Sequence, residues 1–97
     1  MSWFITVKGM RYRSGTEIVS QILEIVNGSG SKGETQTKIM YKAFLSYGQL
    51  KQYLTILADN DLLRYDGETH TFKTTEKGLR FLEAYNHIDQ ALKEQQI

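Results

Sequence analysis

Leu45 stands between two stretches of helical hydrophobic periodicity, and the second begins almost at once, at Ser46-Tyr47-Gly48-Gln49. A serine followed three residues later by glutamine is a capping box, in which side chains and backbone satisfy each other's free donors at a helix start. Before it, a short helix starts near Thr35 and runs through Ile39, Met40, Ala43 and Phe44. After it, Leu50, Tyr53, Leu54 and Leu57 recur at helical spacing and carry a helix to about Asn60. Two helices joined by so short a turn must cross at a large angle.

The rest of the chain arranges itself around that pair. Ser14-Gly15-Thr16-Glu17 is a capping-box pattern that opens an earlier helix, whose apolar face is Ile18, Ile22, Leu23, Ile25 and Val26. Asn27-Gly28 is expected to end it in the left-handed conformation, and residues 29–33 read as a flexible polar connector. After Asp59-Asn60-Asp61 the period changes. Leu62-Leu63-Arg64-Tyr65 and His70-Thr71-Phe72-Lys73 are β-prone runs bracketing Asp66-Gly67-Glu68-Thr69, with Asp-Gly as a hairpin cue. Thr74 or Thr75 then caps a last helix, from Glu76 to at least Leu92. The opening Trp3-Phe4-Ile5-Thr6-Val7 is apolar and β-prone and turns basic at Arg11 and Arg13, as a short strand or an arm. Three helices, a hairpin and a fourth helix make a winged helix-turn-helix, an α+β but mainly helical fold with the hairpin as wing. Residues 1–13 are the arm, 14–75 the winged domain, and 76–97 a C-terminal helix.

Ninety-seven residues accommodate one hydrophobic core. No cysteine is present, which excludes disulfides, thiolate zinc sites and thiol catalysis and suits a reducing cytoplasm. No apolar run is long enough to span a bilayer, and no secretory signal pattern is evident, so no membrane role is expected. The net charge of +1 hides an asymmetry. Residues 1–58 hold seven cations against three carboxylates, and residues 59–97 five against eight. One half can therefore face an anion.

Catalysis finds little support. The only histidines are His70, in the wing, and His87, which with Glu83 offers two ligands at helical spacing and no third. The run from Gly28 to Gly33 lacks the spacing of a phosphate loop and follows a helix rather than a strand. No catalytic residue, metal or cofactor is expected.

The segment Thr37-Lys38-Ile39-Met40-Tyr41-Lys42-Ala43-Phe44-Leu45-Ser46-Tyr47 resembles the T-[KR]-I-M-Y-x-A-x-L-S-Y stretch of a small archaeal winged-helix family with a dimeric DNA-binding member in Sulfolobus. Leu62-Leu63 and Thr74-Thr75-Glu76-Lys77-Gly78 are similar to that family's wing and its entry into the last helix. The resemblance runs from about Arg13 to about Asp89, and it implies a dimeric DNA-binding protein of archaeal type. The apolar start before Met10 has no counterpart in the family, and the last helix is shorter than the coiled-coil helix of that member.

On the third helix Gly48, Gln52, Thr55 and Asp59 lie opposite the apolar face, flanked by Gln49 and Lys51. Glutamine can bond adenine bidentately and lysine can reach guanine O6 and N7, so Gln49, Lys51, Gln52 and Thr55 are the candidate base readers in a major groove. Arg11, Arg13, Lys38, Lys42, Arg64 and Lys73 are the candidate phosphate contacts. Asp66 and Glu68 place acid at the wing tip, so contact is expected through the wing's strands. In the last helix Phe81, Tyr85, Ile88 and Leu92 follow the spacing of a coiled-coil seam, the expected homodimer interface, while Leu79 and Leu82 are expected to pack on the core. The expected function is binding of double-stranded DNA by a cytoplasmic, nucleoid-associated regulator or chromatin protein. The alternative is a winged helix used as a protein-interaction module, since fold alone does not decide function.

Overall fold

A computed structural model describes residues 13–95 of the chain. Its elements are α1 (Gly15–Gly28), a 3-10 turn (Gly30–Lys32), α2 (Gln36–Ala43), α3 (Tyr47–Asp59), β1 (Leu63–Asp66), β2 (Thr71–Thr74) and α4 (Glu76–Gln95). Four helices and a two-stranded antiparallel hairpin form a winged helix, mainly helical α+β. Arg11 and most of the arm lie outside the described residues.

Each helix starts where a hydroxyl can take a free backbone donor. Ser14 accepts from the Glu17 N–H at 3.1 Å and Thr35 from Lys38 at 3.3 Å. Ser46 accepts from Gln49 at 3.2 Å while the Gln49 side chain accepts the Ser46 N–H at 3.0 Å, a complete capping box. Thr75 caps α4, accepting from the Gly78 N–H at 2.9 Å. The i, i+3, i+4 spacing then turns Ile22, Leu23 and Val26 of α1, Ile39 and Ala43 of α2, and Leu50, Leu54 and Leu57 of α3 into one core. Leu45, Leu62, Leu63 and Leu82 close it.

Several local expectations are corrected. α1 runs through Gly28 and its cap, Ser29, is right-handed at φ −85°; the positive φ falls two residues after Gly28, at Gly30. The hairpin strands lie one residue later than their hydrophobic pattern suggests, and His70, not the Asp-Gly pair, takes the left-handed conformation. Between α2 and α3 it is Phe44 that turns left-handed, at φ 56°, where glycine is usual. Its N–H and that of Leu45 reach back to carbonyls of the last turn of α2, and burial of Leu45 holds the turn.

The connector is packed rather than flexible. Gly33 sits at φ 77°, and a Cβ there would meet the Phe72 carbonyl at 2.5 Å and Lys73 Cγ at 2.9 Å. Glu34 next pairs with Phe72 as an antiparallel bridge, its N–H donating to the Phe72 carbonyl at 3.0 Å and its carbonyl accepting the Phe72 N–H at 2.8 Å. This short rung ties the helical half of the domain to the wing.

Candidate nucleic-acid interface

The polar ridge of α3 is open. Gly48, Gln49, Lys51, Gln52, Thr55 and Asp59 are all exposed, while Leu50, Leu54 and Leu57 behind them are buried. The ridge residues are not equally free. Gln49 has committed its side-chain carbonyl to the capping box, so a bidentate contact to adenine, which needs both carbonyl and amide NH2, falls to Gln52. The Thr55 hydroxyl donates to the Lys51 carbonyl at 2.9 Å, which leaves it able to accept from a base amino group. The Lys51 ammonium rides 5.6 Å from the ring centre of Tyr47, close enough for a cation–π attraction to orient it.

A crevice of about 330 Å³ separates α3 from the wing, lined by Gln36, Lys51, Thr55, Tyr65 and Phe72 among others. The register pairs Tyr65 with Phe72 and Arg64 with Lys73. Because side chains alternate across a strand, the aromatic pair faces α3 and the two cations project from the other side. There Arg64 and Lys73 line a recess of about 290 Å³ beside Asn27, Gly30 and Ser31. The structure thus brings Lys51, Gln52 and Thr55 together and holds Arg64 and Lys73 apart from them.

The candidate phosphate contacts divide sharply. Arg13 is no free arm residue: its guanidinium donates to the Ala43 carbonyl at 2.7 Å, the Phe44 carbonyl at 3.1 Å and Gln21 Oε1 at 2.6 Å, capping the C-terminus of α2. Lys73 pairs with Asp66 at 3.2 Å. Asp66 also accepts the Glu68 N–H at 2.9 Å, and that bond, then Lys73, holds its carboxyl below its ordinary value. Lys42 pairs with Glu34 at 2.9 Å. Lys38, Lys51 and Arg64 are exposed and have no carboxylate within ion-pair distance among the described residues.

Glu34 was not recognised in the sequence, since nothing local marks it as buried. Its carboxylate accepts from Lys42 at 2.9 Å, Ser29 Oγ at 2.8 Å and the Thr35 N–H at 3.2 Å. The Lys42 bond leads in lowering its pKa to about 2, against the upward push of burial. A carboxyl depressed from 4.5 adds stability above 4.5 that disappears as pH falls toward 2. Glu34→Gln is accordingly expected to cost roughly 1–2 kcal/mol at pH 7 and almost nothing near pH 2. Urea melts of both proteins across that range check it.

Sequence reasoning also missed three exposed aromatics around the helix-helix turn: Tyr41, Tyr47 and, at 85% exposure, Phe44. Tyr41 and Tyr47 fall on the wet side of their helices' periodicity, which was the available signal. On α4, Leu82 is buried and Phe81 packs half-buried on the core, but Leu79 is exposed. Gly78, four residues before Leu82, takes the inward position against the Leu62 backbone and turns Leu79 away. Tyr85 is half-buried, and Ile88 and Leu92 are exposed at 59% and 54%. His70 is bonded to the Tyr65 hydroxyl at 3.0 Å, and among the described residues no group of three His, Cys, Asp or Glu is placed to hold a metal. No described helix is long and apolar enough to cross a membrane.

Residues 12–93 match a family model described as winged helix-turn-helix. Among solved structures, a mutant of S. aureus MepR superposes with a TM-score of 0.70 over 94% of this chain and 68% of that one. At 14% identity the likeness is one of fold. No curated protein matches the sequence significantly.

Proposed function

The chain belongs to the winged helix-turn-helix family, and on that footing we propose that it binds double-stranded DNA as a homodimer, with α3 in the major groove. The observation that carries this reading is the exposed polar ridge of α3, backed by buried Leu50, Leu54 and Leu57, together with the exposed cations Lys38, Lys51 and Arg64. Lys51, Gln52 and Thr55 read bases, with Gln49 restricted by its cap. Lys38 and Arg64 meet phosphate, and Arg11 adds to them from the arm. Lys42 and Lys73 contribute only where a phosphate displaces their carboxylates. With so few phosphate contacts per subunit, affinity falls gently with salt, by about 0.9 in log K per contact for each log unit.

Such a protein acts as a cytoplasmic, nucleoid-associated regulator or chromatin protein without a catalytic role, of the archaeal type that the segment from Thr37 to Tyr47 resembles. Residues 14–75 form the binding unit and 76–97 the dimerisation segment. Phe81, Tyr85, Ile88 and Leu92 make the seam; exposure of Ile88 and Leu92 supports it, because a lone helix with an apolar stripe in water gains by pairing. Ile88→Asp should halve the solution mass measured by light scattering with the fold intact, and an unchanged mass removes the seam. Titration of random-sequence duplex with the parent protein tests the DNA reading itself.

A second reading has one observation in its favour. Phe44 and Tyr41, at 85% and 70% exposure, give the helix-turn-helix an aromatic edge suited to a protein partner. Failure to bind any duplex at low salt would favour that reading.

A further inference from the structure

On the side of the hairpin away from α3, the recess of about 290 Å³ takes its polar walls from Asn27 at the end of α1, Ser31 in the 3-10 turn, and Arg64 and Lys73 on the two strands. Both of its charged side chains are cations. We propose that this recess binds a phosphate group. The proposal deepens the part given to Arg64 above, and it rests on the DNA reading only for where that phosphate comes from.

The register sets Arg64 directly opposite Lys73. Cross-strand neighbours hold their Cβ atoms about 5 Å apart, and like charges so placed repel. Asp66 answers Lys73 at 3.2 Å, but among the described residues no carboxylate lies within ion-pair distance of Arg64. Arg64 is left uncompensated, and a doubly charged anion between the two cations relieves their repulsion. A guanidinium forks onto two oxygens of a phosphate, and an ammonium meets a third. The Ser31 hydroxyl and the Asn27 amide are exposed and make no side-chain hydrogen bond among the described residues, so both are free to donate. Four donor groups around one hollow suit a tetrahedral oxyanion, whereas a carboxylate has only two oxygens to offer them.

The walls are set before a ligand arrives. Gly33 lies too close to the Phe72 carbonyl and Lys73 Cγ for any Cβ, and its N–H donates to the Gly30 carbonyl at 3.1 Å. Ser29 Oγ donates to Glu34 at 2.8 Å, and Glu34 is bridged to Phe72. These contacts pin both ends of the turn that carries Ser31, so binding has little chain to order. The turn belongs to the glycine run of residues 28–33, whose spacing excludes a phosphate loop. Here it acts through the Ser31 side chain, set against the wing's cations.

Asp66 competes with the ligand from within the wing. Its Oδ2 holds Lys73, while its Oδ1 accepts the Glu68 N–H at 2.9 Å. Asp66→Asn keeps the second bond and frees the lysine, so it strengthens phosphate binding. Arg64→Gln removes the fork and weakens it.

Titration of the full chain with inorganic phosphate at constant pH and ionic strength, with chloride as reference, tests the site through amide shifts in nitrogen–proton correlation spectra. The expected result is a saturable shift centred on Gly30, Ser31, Arg64 and Lys73. Affinity is expected to fall at least about tenfold in Arg64→Gln and to rise about threefold in Asp66→Asn. Lys51→Ala with Gln52→Ala should bind phosphate as the parent does, since α3 lies across the hairpin from the recess. Shifts that do not saturate, or that chloride reproduces, overturn the proposal, and so does parental affinity in both wing variants. Duplex affinity with and without saturating phosphate then identifies the source. A loss that Arg64→Gln abolishes assigns the recess to a nucleic-acid backbone, and unchanged affinity assigns it to free phosphate or a phosphate monoester. A chain that binds phosphate but no duplex loses the DNA reading and keeps this site. One that binds duplex but shows no saturable phosphate shift loses this site alone.

Discussion

Gly78→Ala is expected to unfold the domain at temperatures the parent withstands. A Cβ at Gly78 would collide with the Leu62 carbonyl and approach Thr74 Cγ2 at 2.8 Å. The first obstacle is backbone, and it is anchored: the Leu62 carbonyl accepts the Thr75 N–H at 3.1 Å, while the Thr75 hydroxyl, which caps α4, donates to the neighbouring Asp61 carbonyl at 2.6 Å and lies 3.1 Å from that of Leu62. Relief therefore needs α4 to lift from the hairpin, taking Leu82 and Phe81 partly out of the core. Overpacking of this kind costs about 3 kcal/mol. For a domain near one hundred residues that lowers Tm by roughly 12–24 °C. Gly28→Ala is the control, because a Cβ there meets nothing within 4 Å and alanine is the better helix former. Calorimetry on the two variants should move Tm in opposite directions, and a small shift for Gly78→Ala would mean that the helix and wing are loosely joined.

The second large effect is on binding. Lys51→Ala combined with Gln52→Ala removes the two ridge side chains with uncommitted polar ends, and each good base contact discriminates by about 1–3 kcal/mol. The double variant should lose at least about thirtyfold in affinity for a selected duplex, equal to about 2 kcal/mol. Both residues are exposed on α3, so circular dichroism and Tm should stay near the parent's. The single Gln49→Ala behaves differently: it breaks the capping box and lowers helix stability, mixing folding with binding. Equal affinity of the double variant and the parent in anisotropy titrations would remove α3 as the reader.

These contrasts show what was legible in the amino-acid order. Ser14, Thr35, Ser46 and the Thr74-Thr75 pair announce helix starts because a cap is made within three residues of itself, though which threonine caps α4 is decided only in the fold. Leu50, Leu54 and Leu57 announce their burial because one helix turn is enough to align them. Glu34 could not be read this way: its burial depends on Phe72, thirty-eight positions later, and on Lys42 arriving from the far end of α2. Arg13 reads locally as part of a basic arm, and only the tertiary position of the α2 C-terminus makes it a cap. Phe44 and His70 occupy left-handed turns that the chain's glycines and Asp-Gly pair suggested elsewhere, since tertiary packing overrode local preference. On the ridge, residue types were readable from period alone, but which side chains were already spoken for was not.

The rung between Glu34 and Phe72 has a consequence for how any target is met. It clamps the hairpin to the segment from which α2 departs, so the gap between wing and ridge is preset like the jaws of a locked calliper. Little chain entropy is left to surrender on encounter, and a target whose contour does not suit that fixed opening must itself bend to be held.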